Sequence, residues 1–116
     1  MSAENRVHPR VATHLSVELK PDSGDTLITE EIRNISLGGV FVSMADPLPY
    51  GSKLTMRFAL PTEDACEIEC VGEVVWSTMA APDWIGAESG IGVKLVDVGL
   101  ENLEKLAAYI KGAVIF

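Results

Sequence analysis

Most of this chain is written in short runs that alternate apolar and polar residues. Each run ends at a cluster of glycine, proline or aspartate. Successive side chains of a strand point to opposite faces, so a period of two fits a sheet with one buried face. Residues 11–20 set the pattern. Leu15, Val17 and Leu19 share one side, and Ser16, Glu18 and Lys20 the other. Pro21, Asp22, Ser23, Gly24 and Asp25 then form a turn cluster. Residues 26–35 read as a second strand, with Leu27 and Ile28 early and Ile32 among charges. Val40, Phe41 and Val42 start a third, which ends in the proline-rich stretch from Asp46 to Gly51. In residues 53–60, Leu54, Met56, Phe58 and Leu60 face inward, and Lys53, Thr55 and Arg57 outward. After a turn at Pro61–Asp64, residues 66–78 form a long strand with Cys66, Ile68 and Cys70 on one face. Gly72 marks a bulge or bend in it, and Trp76 is read as a core residue. Residues 79–88 form a loop around Pro82, Trp84 and Gly86, and Ile91–Val96 is the last strand.

The tail changes period. Leu100, Leu103, Leu106, Ala107 and Ile110 recur at helical spacing, which predicts a helix over about 98–111. Glu101 and Lys105 form a favourable i,i+4 pair. Gly112 marks the expected stop. The apolar residues Ala113–Phe116 lie beyond it, where they pack back on the fold or meet a partner. Six strands and one helix predict an all-β fold: a small six-stranded antiparallel barrel capped at one end by the C-terminal helix. Closure would leave no strand edge bare.

Length and composition narrow the class. The chain has 116 residues, enough for one domain, and 47% of them are hydrophobic, enough for one core. No apolar run approaches the ~20 residues that span a bilayer, and the polar start lacks the apolar centre of a signal peptide. The expectation is a cytoplasmic domain, alone or cut from a larger protein, with no membrane insertion. The net charge of -8 argues against a DNA or RNA polymer as partner. The charge is uneven: residues 1–20 carry a balance of +1 and the rest -9. An anionic ligand would therefore be small and be met by the N-terminal arginines. Cys66 and Cys70 are four residues apart on a strand, roughly 13 Å, beyond the ~7 Å limit for a disulfide. With no second cysteine pair, and with His8 and His14 lacking ligand spacing, no metal site is expected. Two partly buried thiols in a reducing compartment remain.

Two short elements carry chemistry. Arg6 and Arg10 form an RxxxR arm in residues 1–10, ahead of the first strand. Asn34, Ser36 and Gly39 form an Asn-x-Ser-x-x-Gly turn after the second. Taken singly, the arginines are ordinary solvated side chains and the turn is only a tight turn. Together, in this order, they resemble the PilZ domain family, whose members bind the bacterial second messenger cyclic di-GMP. The resemblance extends to the strand Gly72-Glu73-Val74-Val75-Trp76 and to Gly90-Ile91-Gly92-Val93 before the helix. It implies a PilZ-type barrel and cyclic di-GMP as ligand, with no other cofactor. Arg6 and Arg10 would take phosphate and guanine contacts, since a guanidinium forks onto phosphate and pairs with the O6/N7 edge of guanine. Asn34 and Ser36 would hydrogen-bond a guanine edge, and Gly39 would let the backbone approach the ligand. The arm would close over the ligand, and a protein partner would read that change. Asn5 stands where such arms often carry a basic residue, which bears on affinity and on the number of ligand molecules bound.

The resemblance implies a receptor, not an enzyme. No G-x-S-x-G elbow is present, and Ser36 has no histidine in a triad arrangement. The alternative is a PilZ-like protein-interaction adaptor that binds no nucleotide, a reading that Asn5 and the apolar tail Ala113–Phe116 favour. An oligonucleotide-binding barrel is disfavoured by the acidic balance and by an aromatic content of 6%, low for base stacking. Either a monomer or a homodimer is compatible with the sequence.

Overall fold

The computed structural model describes residues 11–24, 26–61, 66–78 and 89–114, with side chains through 112. The arm, with Arg6 and Arg10, and the loop around Trp84 lie outside the described residues. Six strands form in chain order: β1 (Val11–Pro21), β2 (Ile28–Ile35), β3 (Gly39–Ser43), β4 (Lys53–Ala59), β5 (Glu67–Ser77) and β6 (Gly90–Asp97). The helix α1 (Leu100–Val114) follows. The strands close in the order β1-β2-β3-β6-β5-β4, every pair antiparallel. The expected barrel is therefore the observed one.

Alternation explains which side chains fill it. Val17, Leu19, Leu54, Met56, Ile68 and Val74 are fully buried. Their polar neighbours in sequence face out, where Arg57 on β4 donates to Glu18 on β1 at 2.6 Å. Turns follow local chemistry. Gly51, at φ 89°, supplies the left-handed conformation that other residues rarely adopt. Its N–H donates to the Val74 carbonyl at 2.8 Å, pinning the β3–β4 connection to β5. Gly72 sits at a register shift between β5 and β6, as its place in the strand predicts.

The helix departs from expectation at both ends. It begins at Leu100 because Gly99 sits at φ 85°, outside helical space, while its carbonyl accepts the first helical bond from Leu103 at 2.9 Å. It passes through Gly112, the predicted stop, and ends at Val114. A glycine inside a helix costs only about 1 kcal/mol and does not by itself end one. The apolar face is also shorter than its spacing suggests. Leu106 and Ile110 join the barrel core and Tyr109 packs against it. Leu100 is 75% exposed and Leu103 38%. Two tethers hold the helix: Tyr109 Oη shares a 3.2 Å hydrogen bond with Thr13 Oγ1 of β1, and Asn102 Nδ2 donates to the Glu69 carbonyl of β5 at 3.4 Å.

Candidate functional site

The turn between β2 and β3 is built by Ser36. Its N–H donates to the Gly39 carbonyl at 2.8 Å. Its hydroxyl accepts from the N–H groups of Gly38 and Gly39, both at 3.2 Å, and lies 3.3 Å from the Gly39 carbonyl as donor. A hydroxyl has one proton and two lone pairs, so this set uses all of them. The Gly38 carbonyl accepts from Leu95 of β6 at 3.1 Å, tying the turn to the next strand. A ligand contact to Ser36 would have to displace one of these bonds. Replacement of Ser36 by Ala should cost about 1–2 kcal/mol, the usual loss when one hydroxyl caps buried N–H groups. Thermal melting would measure it, and an unchanged midpoint would mean the turn holds itself without the hydroxyl.

Gly39 is needed for close approach, but the approaching backbone is β6. A Cβ on Gly39 would run into the carbonyl oxygen of Val93 and sit 3.5 Å from Cα of Lys94. The glycine therefore lets β3 and β6 pair.

Asn34 stands on the outer face of the barrel, in a row that the strand register defines. Ala12 pairs with Asn34, Asn34 with Phe41, Phe41 with Gly92 and Gly92 with Trp76. Val40 and Val42 point into the core, so Phe41 between them points out. Trp76 is 37% exposed, which corrects its assignment to the core. It packs against Phe41 with ring centroids 5.9 Å apart and planes tilted by 53°. The pair spans β6 because Gly92 has no side chain: a Cβ there would lie 3.3 Å from the Trp76 Cβ. Spacing alone could not find this pair, since it joins residues 35 apart through a third strand. The signal was the glycine opposite both rings.

The arm attaches beside this face. Val11, the first described residue, pairs with Ile35, the last residue of β2 before the turn. Arg10 is one peptide bond from that pair. Beside Asn34 in sequence, Arg33 places its Nε 3.7 Å from one Glu31 carboxylate oxygen, and His14 Nδ1 lies 3.4 Å from the other.

Other chemistry is sparse. Among the described residues no group of three His, Cys, Asp or Glu side chains is positioned to hold a metal. Both cysteines are free. Burial, helped by the negative charges of Asp97 and Glu69, pushes the Cys70 thiol up to about 11, so it stays protonated and is a poor nucleophile. Among the described residues no helix is long and apolar enough to cross a membrane.

Comparison with solved structures returns the same architecture. Bacillus subtilis MotI/DgrA, an inhibitor of motility, superposes with a TM-score of 0.74 at 22% identity over 93% of this chain. The chain spans 50% of that protein. The PilZ domain of YcgR from Escherichia coli, solved with c-di-GMP, gives 0.68 at 10% identity, covering 94% of this chain and 91% of that one. The PilZ domain of CeSA from a cellulose-synthesizing bacterium gives 0.61 at 20% identity, covering 90% and 96%. No curated protein matches the chain. The PilZ domain family model matches residues 4–112, a span that takes in both short motifs, all six strands and most of the helix, and the chain belongs to that family.

Proposed function

We propose that this chain is a non-enzymatic receptor module for cyclic di-GMP, acting in the cytoplasm and passing the signal to a protein partner. One observation carries the reading. The Val11–Ile35 pairing roots the arm bearing Arg6 and Arg10 at the mouth of the turn bearing Asn34, Ser36 and Gly39. Arg6 lies five residues before Val11, so its Cα is within about 18 Å of that root at full extension. Both arginines can therefore reach a ligand lying on the Asn34 face. Guanidinium groups suit both phosphates and guanine edges, and the Asn34 amide can donate to and accept from a base. In this reading Ser36 acts by holding the turn, and Gly39 by holding β3 against β6. The arm folds onto the turn around the ligand, and that change is the signal. The E. coli PilZ domain solved with c-di-GMP supports the choice of ligand.

A second reading, a protein-interaction adaptor without nucleotide, is favoured by Leu100 and Leu103, which the helix leaves exposed. Titration calorimetry separates the two. Wild type should bind cyclic di-GMP, and Arg10→Ala should lose at least about tenfold in affinity, the worth of one charged hydrogen bond at about 1.5–3 kcal/mol. A wild type that gives no heat at micromolar protein and excess ligand sinks the receptor reading and leaves the adaptor.

A further inference from the structure

Where β6 leaves the barrel, its alternation breaks. Gly72 pairs with Leu95 and Val71 with Asp97, so β5 takes one step while β6 takes two. Leu95 packs against the core. Regular alternation would put one of the next two residues inside, but the bulge leaves both Val96 and Asp97 outside, Val96 with 57% of its surface exposed. The helix then turns a second apolar pair to solvent. Leu100 and Leu103, neighbours at i,i+3, lie outside the stripe of Leu106 and Ile110 that enters the core. Asn102, between them in sequence, is bonded to the Glu69 carbonyl, which brings this turn of α1 against β5 two residues before the exposed Val71. Val71, Val96, Leu100 and Leu103 therefore gather at one corner of the barrel. A cluster of large apolar side chains left in water marks an interaction surface.

The rim of this corner is acidic. The negative charges of Glu69 and Asp97 both act on the Cys70 thiol, which places them on either side of it. Glu101 and Glu104 stand on the same helical turn as the two leucines. Lys105, with its Nζ 3.9 Å from Glu101, offsets one of these four carboxylates. That charge decides among occupants. A second copy docked by the same face would set acidic rim against acidic rim. An anionic lipid surface would be repelled. A protein segment with apolar side chains set among Lys and Arg satisfies both the apolar centre and the rim.

We infer that this corner docks a basic amphipathic segment of a protein partner. The inference rests on the reading that the chain acts through such a partner, and it names the surface and the chemistry. Leu95, next to Val96, donates to the Gly38 carbonyl, so the surface adjoins the turn that carries Asn34, Ser36 and Gly39.

Fluorescence anisotropy on the full chain tests it with two labelled helical peptides of about four turns. One has leucines on one face and lysines on the other; the second has glutamates in place of the lysines. Wild type should bind the lysine peptide with a Kd below about 100 μM, and the glutamate peptide at least about tenfold more weakly. L100S should lose about tenfold and V96T about threefold, since each removes apolar surface that the peptide would cover. E101Q/E104Q should bind about 3- to 10-fold more weakly, with a shallower salt dependence. L27S, at an exposed leucine in the β1–β2 connection, is the control and should stay within about twofold of wild type. Leu100 and Val96 are both more than half exposed, so L100S and V96T should melt with wild type. A wild type that does not bind the lysine peptide overturns the inference, as do L100S and V96T affinities both within about twofold of wild type. A loss in L27S equal to that in L100S also overturns it, because binding is then diffuse. Equal affinity for the two peptides overturns the basic partner. Should L100S melt early, V96T decides: an affinity unchanged from wild type overturns the inference. Each of these failures leaves the receptor reading standing. A wild type that binds the lysine peptide but not cyclic di-GMP sinks the receptor reading and upholds the docking surface.

Discussion

Gly39→Val should destabilise the barrel by about 3 kcal/mol, the upper end of the range for overpacking. The added Cβ meets the Val93 carbonyl oxygen, and Cα of Lys94 is 3.5 Å away. Both are backbone atoms of β6 in the ladder that pairs Gly39 with Lys94 and Val40 with Val93. A flexible side chain could swing aside, but a paired backbone moves only if the ladder opens. Gly24→Ala is the control. Among the described residues a Cβ there has nothing within 4 Å, and the residue has no left-handed φ. It should be neutral or stabilise by about 0.4–1 kcal/mol by restricting the unfolded chain. Urea titrations would measure both, with an unchanged slope showing that the change is one of stability. A Gly39→Val protein as stable as wild type would mean that β3 and β6 are not packed as described. The result also bears on function. Lost ligand binding in a Gly39 variant would follow from a damaged barrel and could not be read as a lost ligand contact.

The barrel was legible because one inward face is a period-two signal that each strand repeats. Leu15, Val17 and Leu19 on β1, and Leu54, Met56 and Phe58 on β4, all fall inside as their alternation requires. In residues 26–35 Leu27 and Ile28 come early and Ile32 stands among charges, and this is the strand that breaks alternation. Ile32 and Ile35 are both fully buried although three residues apart, and the register against β3 shifts between Ile32 and Asn34. A bulge is a relation between strands, so Arg33 gave no sign in sequence that it shares a face with Asn34. Trp76 failed for a related reason. A large aromatic residue near the end of a strand is read as core, yet its position over Gly92 depends on the β5–β6 register. The helix ends differ from the expected ones because Gly112 is accommodated within the helix. The residue with the left-handed φ is Gly99, at the other end. Of the candidate site, the turn was legible as a unit, but the work of its residues was not. Ser36 and Gly39 have structural duties that appear only when their neighbours across the turn and on β6 are known.

Ile32→Ala should cost about 2–5 kcal/mol, and Ile32→Val about 0.5–1.5 kcal/mol. Ile32 is fully buried between Leu15 of β1 and Val42 of β3, themselves buried. Truncation to Ala removes contacts on both sides, and the closed ladder limits how far the walls can relax into the space. A domain of this size has only about 5–15 kcal/mol in total, so the larger loss is a substantial share of it. Chemical denaturation of the two variants tests the packing by their ratio. Ile32→Ala costing no more than Ile32→Val would show that the site collapses freely or was never tight. Position 32 also matters to the outer face. The next two residues are Arg33 and Asn34, and the burial of Ile32 on one side and Ile35 on the other forces both outward. Loosening Ile32 removes the constraint that sets the bulge. On the receptor reading, Ile32→Ala should therefore weaken cyclic di-GMP binding even where the protein remains folded, whereas Ile32→Val should leave it near wild type. Calorimetry on folded protein at low temperature would separate this from unfolding. Equal affinities for the two variants would mean that the bulge is held by its hydrogen bonds and not by the core beneath it.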